Sequence, residues 1–187
     1  FRPQGNMVID IGGGTTDIAV LSMGEIVTSR SLRWAGDKMN QAIASYIKRS
    51  KNLLVGQHTA EQIKIQLGTA FEADPTKTMT VRGRDMVDGL PKQVTINELE
   101  VQKALEDGLM SIVAATKEVL EQTPPELSAD IIDRGIMLTG GGALLKNIDK
   151  LITYYLQVPV LKADEPLEAV ANGTGVLLKN IENHQRH

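Results

Sequence analysis

Apolar positions mark out the elements of this chain. The run MVIDI (7–11) and the run DIAVLS (17–22) are short and β-branched, which predicts two strands. A third such run, EIVTSRSLRW (25–34), follows the short turn Met23-Gly24. Three strands with short connections predict an antiparallel meander. Their imperfect alternation fits a sheet covered on both faces. The period then changes. Met39, Ala42, Ile43, Tyr46 and Ile47 recur at helical spacing. Asp37 is placed to cap that helix, and Lys48, Arg49 and Lys51 fall where a helix C-terminus favours cations. Thr59 is a candidate cap for a second helix, TAEQIKIQLGTAF. KTMTVRGRDM and PKQVTI read as two strands joined by a turn. A long helix follows, capped by Asn97, with its stripe on Val101, Ala104, Leu105, Leu109, Ile112, Val113, Val119 and Leu120. Pro124-Pro125 ends it. The last third reads as strand, glycine turn, helix, short strand (VPVL), loop and helix, the alternation of a layered α/β domain. The centre, 41–107, has helices and strands of its own and reads as a small inserted α+β subdomain.

Two glycine turns carry the candidate chemistry. In DIGGGTTD, Gly12, Gly13 and Gly14 join two strands and are followed by Thr15 and Thr16. Without Cβ atoms such a turn lets backbone N–H groups point inward at an anion. Threonine hydroxyls donate to phosphate oxygens or orient water. Asp10, at the strand end, suits a phosphate site only if a divalent cation lies between, because hard Mg²⁺ takes carboxylate, water and phosphate oxygens. Asp17 either does the same or only fixes the turn. Gly-Gly turns are also ordinary hairpin devices, and on this turn alone both readings stand. The second turn, Gly140, Gly141 and Gly142, follows a strand and opens a helix, so it suits phosphate or a flat base; close helix–strand packing is the other reading. It matches neither the P-loop nor the dinucleotide fingerprint. Glu61 and Lys64 share a helix face, as a surface ion pair or as partners for ribose hydroxyls. Tyr154-Tyr155 reads as core packing with one ring at the surface, and Trp34 as packing. His58, His184 and His187 form no constellation.

Composition narrows the classes. Of 187 residues, 42% are hydrophobic and 23% charged, so a packed core is expected; with 3% aromatics it must be aliphatic. A net charge of −3 argues against a nucleic-acid surface. The absence of cysteine excludes disulfides, thiolate metal sites and cysteine nucleophiles, and is compatible with a reducing compartment. No apolar run approaches the roughly 20 residues of a membrane span.

DIGGGTTD resembles the second phosphate-binding hairpin of the superfamily of actin, the seventy-kilodalton heat-shock chaperones and the sugar kinases. TGGGALLKNID resembles its adenosine motif. The strings AEQIK, VRGRDMVDGLP and TPPELSADIIDRGIMLTGGGALL narrow the resemblance to the MreB/Mbl family of bacterial actin-like shape proteins, from about Gly5 to Ile181. The resemblance implies an α/β fold of the actin-like ATPase (ribonuclease H-like) type, a mixed sheet flanked by helices. It makes 1–40 and 108–187 subdomain IIA, and 41–107 subdomain IIB. ATP or ADP would be held with Mg²⁺. Gly12, Gly13, Gly14, Thr15 and Thr16 would hold the β- and γ-phosphates, and Asp10 would reach the Mg²⁺ through water. Gly36 and Asp37 would lie near the nucleotide. Glu61 and Lys64 would meet ribose or adenine, and Gly140, Gly141, Gly142 and Ala143 would lie against the adenosine. In AGDK, Ala35 stands where the family usually has glycine, which questions a close backbone approach there.

The whole protein would polymerise head to tail with copies of itself in the cytoplasm, at the inner face of the cell membrane. There it would meet cell-wall synthesis and shape proteins, touching membrane only indirectly. The first Asp-x-Gly-Thr hairpin of the superfamily does not occur in these residues, and the start FRPQGN fits a chain entered partway. The chain is therefore expected to correspond to the second half of such a protein, to bind nucleotide weakly and to lack ATPase activity, with no complete catalytic set. A stand-alone module that caps filaments of a full-length relative is the alternative.

Overall fold

The structure is a computed structural model that describes residues 4–163. Strands β1 (Gly5–Ile11), β2 (Thr16–Ser22) and β3 (Glu25–Leu32) come first, then helix α1 (Gly36–Lys51). The short strand β4 (Leu53–Leu54) and helix α2 (Gln57–Leu67) lead to the hairpin β5 (Thr78–Asp85) and β6 (Pro91–Asn97). Helices α3 (Glu98–Glu121) and α4 (Pro125–Arg134) precede β7 (Ile136–Thr139), a 3₁₀ turn (Gly141–Leu144), α5 (Ile148–Leu156) and β8 (Val160–Lys162). The expected final helix lies outside the described residues.

The chain folds into two compact units. One comprises the described residues up to Gly36, Met110–Leu144 and those from Asp149 onward; the other comprises Asp37–Leu109 and Leu145–Ile148. The first holds a five-stranded sheet in the order β3-β2-β1-β7-β8. The meander β1-β2-β3 is antiparallel, while β1, β7 and β8 run parallel, so the sheet is mixed. Strands β1 and β2 are buried along most of their length, with Ile9, Ile11, Ile18 and Val20 fully enclosed, which explains their poor alternation. The two-residue turn between β2 and β3 places Met23 at φ 54° and Gly24 at φ 79°, the left-handed pair that matches strand twist.

Helix α4 was not expected. The Pro124-Pro125 pair ends one helix and also opens the next, because a proline in the first turn has no N–H to leave unpaired. Its buried Leu127 and Ile131 form an inner face, and Asp130 accepts a hydrogen bond from the Gly5 amide at 3.0 Å. Across the sheet edge, Arg30 of β3 pairs with Glu118 of α3.

The second unit has a three-stranded antiparallel sheet in the order β4-β5-β6. Asn97 caps α3 as expected: its side chain accepts from the Glu100 amide at 2.9 Å, and Glu100 accepts from the Asn97 amide at 3.1 Å. Two caps differ from expectation. Asp37 lies inside the first turn of α1, and α2 begins before Thr59, with Gly56 at its cap and Gly68 at its end. Glu98 is fully buried and accepts from the Asp74 amide at 3.0 Å, with the Lys77 and Lys146 ammonium groups each 3.5 Å away. Among the described residues, no helix is long and apolar enough to cross a membrane.

Candidate functional site

Strand pairing decides where the two glycine turns lie. Strands β1 and β7 are parallel neighbours, in register from Met7 opposite Ile136 to Asp10 opposite Thr139. Their carboxyl ends therefore come out side by side. The connection 12–15 leaves the end of β1, and the Gly140–Gly142 segment leaves the end of β7. Ligands of open α/β sheets bind at this edge. The two turns, far apart in sequence, are brought to one place.

The first turn is closed by a hydrogen bond from the Gly12 amide to the Thr15 carbonyl, 2.9 Å. Gly13 and Gly14 are exposed, and nothing lies within 4 Å of where a Cβ on Gly14 would stand. Thr15 donates its hydroxyl to Asp17 at 3.3 Å, so Asp17 steadies the turn. Thr16 corrects an expectation. It is fully buried, and its hydroxyl donates to the Trp34 carbonyl at 2.7 Å, so it anchors the segment after β3 and is not presented to a phosphate. That anchor brings Gly36 in as well: its amide donates to the Gly12 carbonyl at 3.0 Å. Ala35, in the place of a glycine, is fully buried, so its methyl packs inside the protein.

In the second turn the glycines divide. Gly140 has φ +91°, and a Cβ there would collide with the Ile11 carbonyl and stand 2.5 Å from Asp10 Oδ1. A Cβ on Gly142 would run into the Ile11 side chain. Both are glycine because the turn lies directly on β1. Gly141 is exposed, with nothing within 4 Å of its Cβ position. Ala143 is buried, its amide bonded to the Gly140 carbonyl at 3.1 Å. The turn opens a short 3₁₀ segment and not a long helix; Asn147, at φ 64°, separates it from α5.

Asp10 is 2% exposed, between Asp17 on β2 and Thr139 on β7. Thr139 is fully buried, and its hydroxyl has no hydrogen-bond partner within the described residues. A carboxylate beside a hydroxyl, under a turn that a Cβ would fill, is an all-oxygen set that fits a hydrated hard cation.

The second unit carries the other candidates. Asp37 and Glu61 are exposed, and Lys64 is half-buried near both. Burial pushes the Lys64 ammonium below its ordinary value, against the opposing pull of Glu61 and then Asp37. A groove of about 310 Å³ between α2 and β5 includes Thr59, Ile63, Val81 and Arg82 in its lining and none of the site residues above. Tyr154 and Tyr155 stack edge-on, centroids 5.1 Å apart, and both are exposed, contrary to the expected core role. His58 is exposed, while His184 and His187 lie outside the described residues.

Sequence reasoning missed Thr139 and Trp34 as parts of this edge. Thr139 directly precedes the second turn, but only the register with Asp10 reveals its place. Trp34 contributes a main-chain carbonyl, which leaves no side-chain signal.

Known proteins resemble the chain along nearly all its length. Residues 1–186 match the family described as MreB/Mbl protein. The cell shape-determining protein Mbl of Bacillus subtilis (strain 168) is 57% identical over 182 residues, covering 97% of this chain and 55% of that protein. The cell shape-determining protein MreB of Escherichia coli (strain K12) is 46% identical over 180 residues, covering 96% of this chain and 52% of its own length. The crystal structure of MreB5 of Spiroplasma citri bound to ADP superposes with a TM-score of 0.86 at 41% identity, over 99% of this chain and 56% of that one. The chain thus spans about half the length of the relatives it matches.

Proposed function

Since the chain belongs to the MreB/Mbl protein family, we propose that it supplies one wall of the nucleotide site in an actin-like, cell-shape filament protein. The observation that carries this reading is the meeting of two glycine turns at the carboxyl ends of β1 and β7. The relative that superposes on the chain was crystallised with ADP.

In this reading Gly12, Gly13, Gly14 and Thr15 form the turn that receives the β- and γ-phosphates, with the exposed Gly13 and Gly14 facing them, and Thr16 holds the turn in place. Gly141 lies against the adenosine, on a backbone shaped by Gly140, Gly142 and Ala143. Gly36 closes the edge beside Gly12. Asp37, Glu61 and Lys64 meet the ribose or base. Asp10 holds Mg²⁺ through water. The cation would neutralise phosphate charge; the residues of this chain bind, orient and exclude water.

Phosphoryl transfer needs positioning and charge stabilisation from several sides at once. These residues offer one side, so the 187-residue chain alone binds ATP or ADP weakly and hydrolyses ATP negligibly. In the whole protein, head-to-tail contacts with further copies make a non-closing, filament-forming assembly. That filament lies in the cytoplasm at the inner face of the membrane, touching it indirectly and guiding cell-wall synthesis proteins. Calorimetric titration of the chain with Mg-ATP tests the reading. Weak saturable binding is expected; no heat of binding at any attainable concentration would refute it.

A further inference from the structure

Thr139 is the last residue of β7, fully buried, and its hydroxyl meets no acceptor within the described residues. Burying a hydroxyl without a partner is unfavourable. Valine would fill the same volume without that cost. The hydroxyl therefore calls for a partner outside the described residues.

The surroundings say which kind. Thr139 stands opposite Asp10 in the parallel register, so the two side chains leave the sheet on the same face. Asp10 Oδ1 lies 2.5 Å from the position a Cβ on Gly140 would take, so this carboxylate sits directly under the turn. A β-branched side chain in a strand has little freedom at χ1, which fixes the direction of the hydroxyl. Buried water needs two or more polar partners; a carboxylate acceptor and a hydroxyl are two. Hydrated Mg²⁺ keeps several of its waters when bound.

Resting on the nucleotide reading above, we propose that Thr139 is a positioning residue for the hydrated cation: its hydroxyl and the Asp10 carboxylate hold one cation-bound water between them. The residue touches neither nucleotide nor metal. It acts by setting the water through which Asp10 reaches the cation.

The test is the metal-linked part of binding. ADP is titrated calorimetrically into the unaltered chain, Thr139→Val and Thr139→Ser, each with Mg²⁺ and with EDTA, and melting temperatures are recorded. For the unaltered chain Mg²⁺ should strengthen binding. In Thr139→Val that gain should fall about tenfold, the lower end of outer-shell effects on metal affinity. Metal-free binding should stay the same, and melting should be unchanged or higher. Thr139→Ser should restore the gain. Should valine disturb the packing, Thr139→Ala serves for the same comparison, with the same loss expected. A full metal-linked gain in Thr139→Val, or an equal loss with and without Mg²⁺, overturns the proposal. So does an unaltered chain whose ADP binding ignores Mg²⁺, and that result leaves the nucleotide reading standing. An unaltered chain that binds no nucleotide sinks both.

Discussion

Residue by residue, the glycines of the second turn have different tasks, and substitution separates them. Gly142→Ala would drive a methyl into Ile11; overpacking of this kind costs about 1–3 kcal/mol, read by urea unfolding. Gly141→Ala meets nothing within 4 Å, so stability should stay within about 0.5 kcal/mol, while ATP affinity should drop in the same titration. A loss of stability in Gly141→Ala, or of neither quantity in both variants, would contradict the assignment. Lys64 offers a second test. Its ammonium is pushed below 10.5 chiefly by burial, so near neutral pH the folded state bears the cost of a half-buried charge. That cost is relieved as pH rises from the folded value toward 10.5, the window in which the unfolded chain binds more protons. Lys64→Met should therefore be more stable than the unaltered chain at neutral pH, and the difference should shrink through that window. Thr16 shows the limit of spacing arguments. Next to Thr15 it reads as a phosphate donor, yet strand alternation turns it inward to the Trp34 carbonyl.

Among the elements, those with a strong local period are legible in the sequence: the three-stranded meander, α1, the β5–β6 hairpin and the capped helix α3. Each is specified by its own residues, such as Met23-Gly24 for the first hairpin turn and the Asn97–Glu100 exchange for the α3 cap. Asn97→Ala should cost about 1 kcal/mol of unfolding free energy. The misses lie where one residue serves two neighbours or a tertiary contact overrides periodicity. Pro124-Pro125 both stops α3 and starts α4. Asn147 in a left-handed conformation breaks the helix expected after the glycine turn, and its amide donates to the Phe71 carbonyl at 2.7 Å. The β5–β6 turn carries an acid-sensitive contact. Asp85 is held below its ordinary value of 3.8, first by the Val87 amide at 2.7 Å and with help from Lys92. A lowered carboxylate contributes stability above its unfolded value and loses it as pH falls through the folded one. Asp85→Asn should therefore flatten the loss of hydrogen-exchange protection in this hairpin below pH 3.8, leaving neighbouring elements unchanged.

For the whole molecule, the family was readable from the two glycine motifs and the strings between them, and of those glycines Gly140 and Gly142 are held to glycine by the close approach of β1. What the sequence left open was whether the two turns share a place. The parallel pairing of β1 with β7 puts them together at one sheet edge. Whether this edge receives an adenine nucleotide can be read by amide-resolved NMR. Titrating Mg-ADP into the ¹⁵N-labelled chain should shift the amides of Gly13, Gly14 and Gly141 along one common saturation curve, while amides of the turn between β5 and β6 stay in place. Saturable shifts confined to other surfaces, with these three glycines unmoved, would contradict the account.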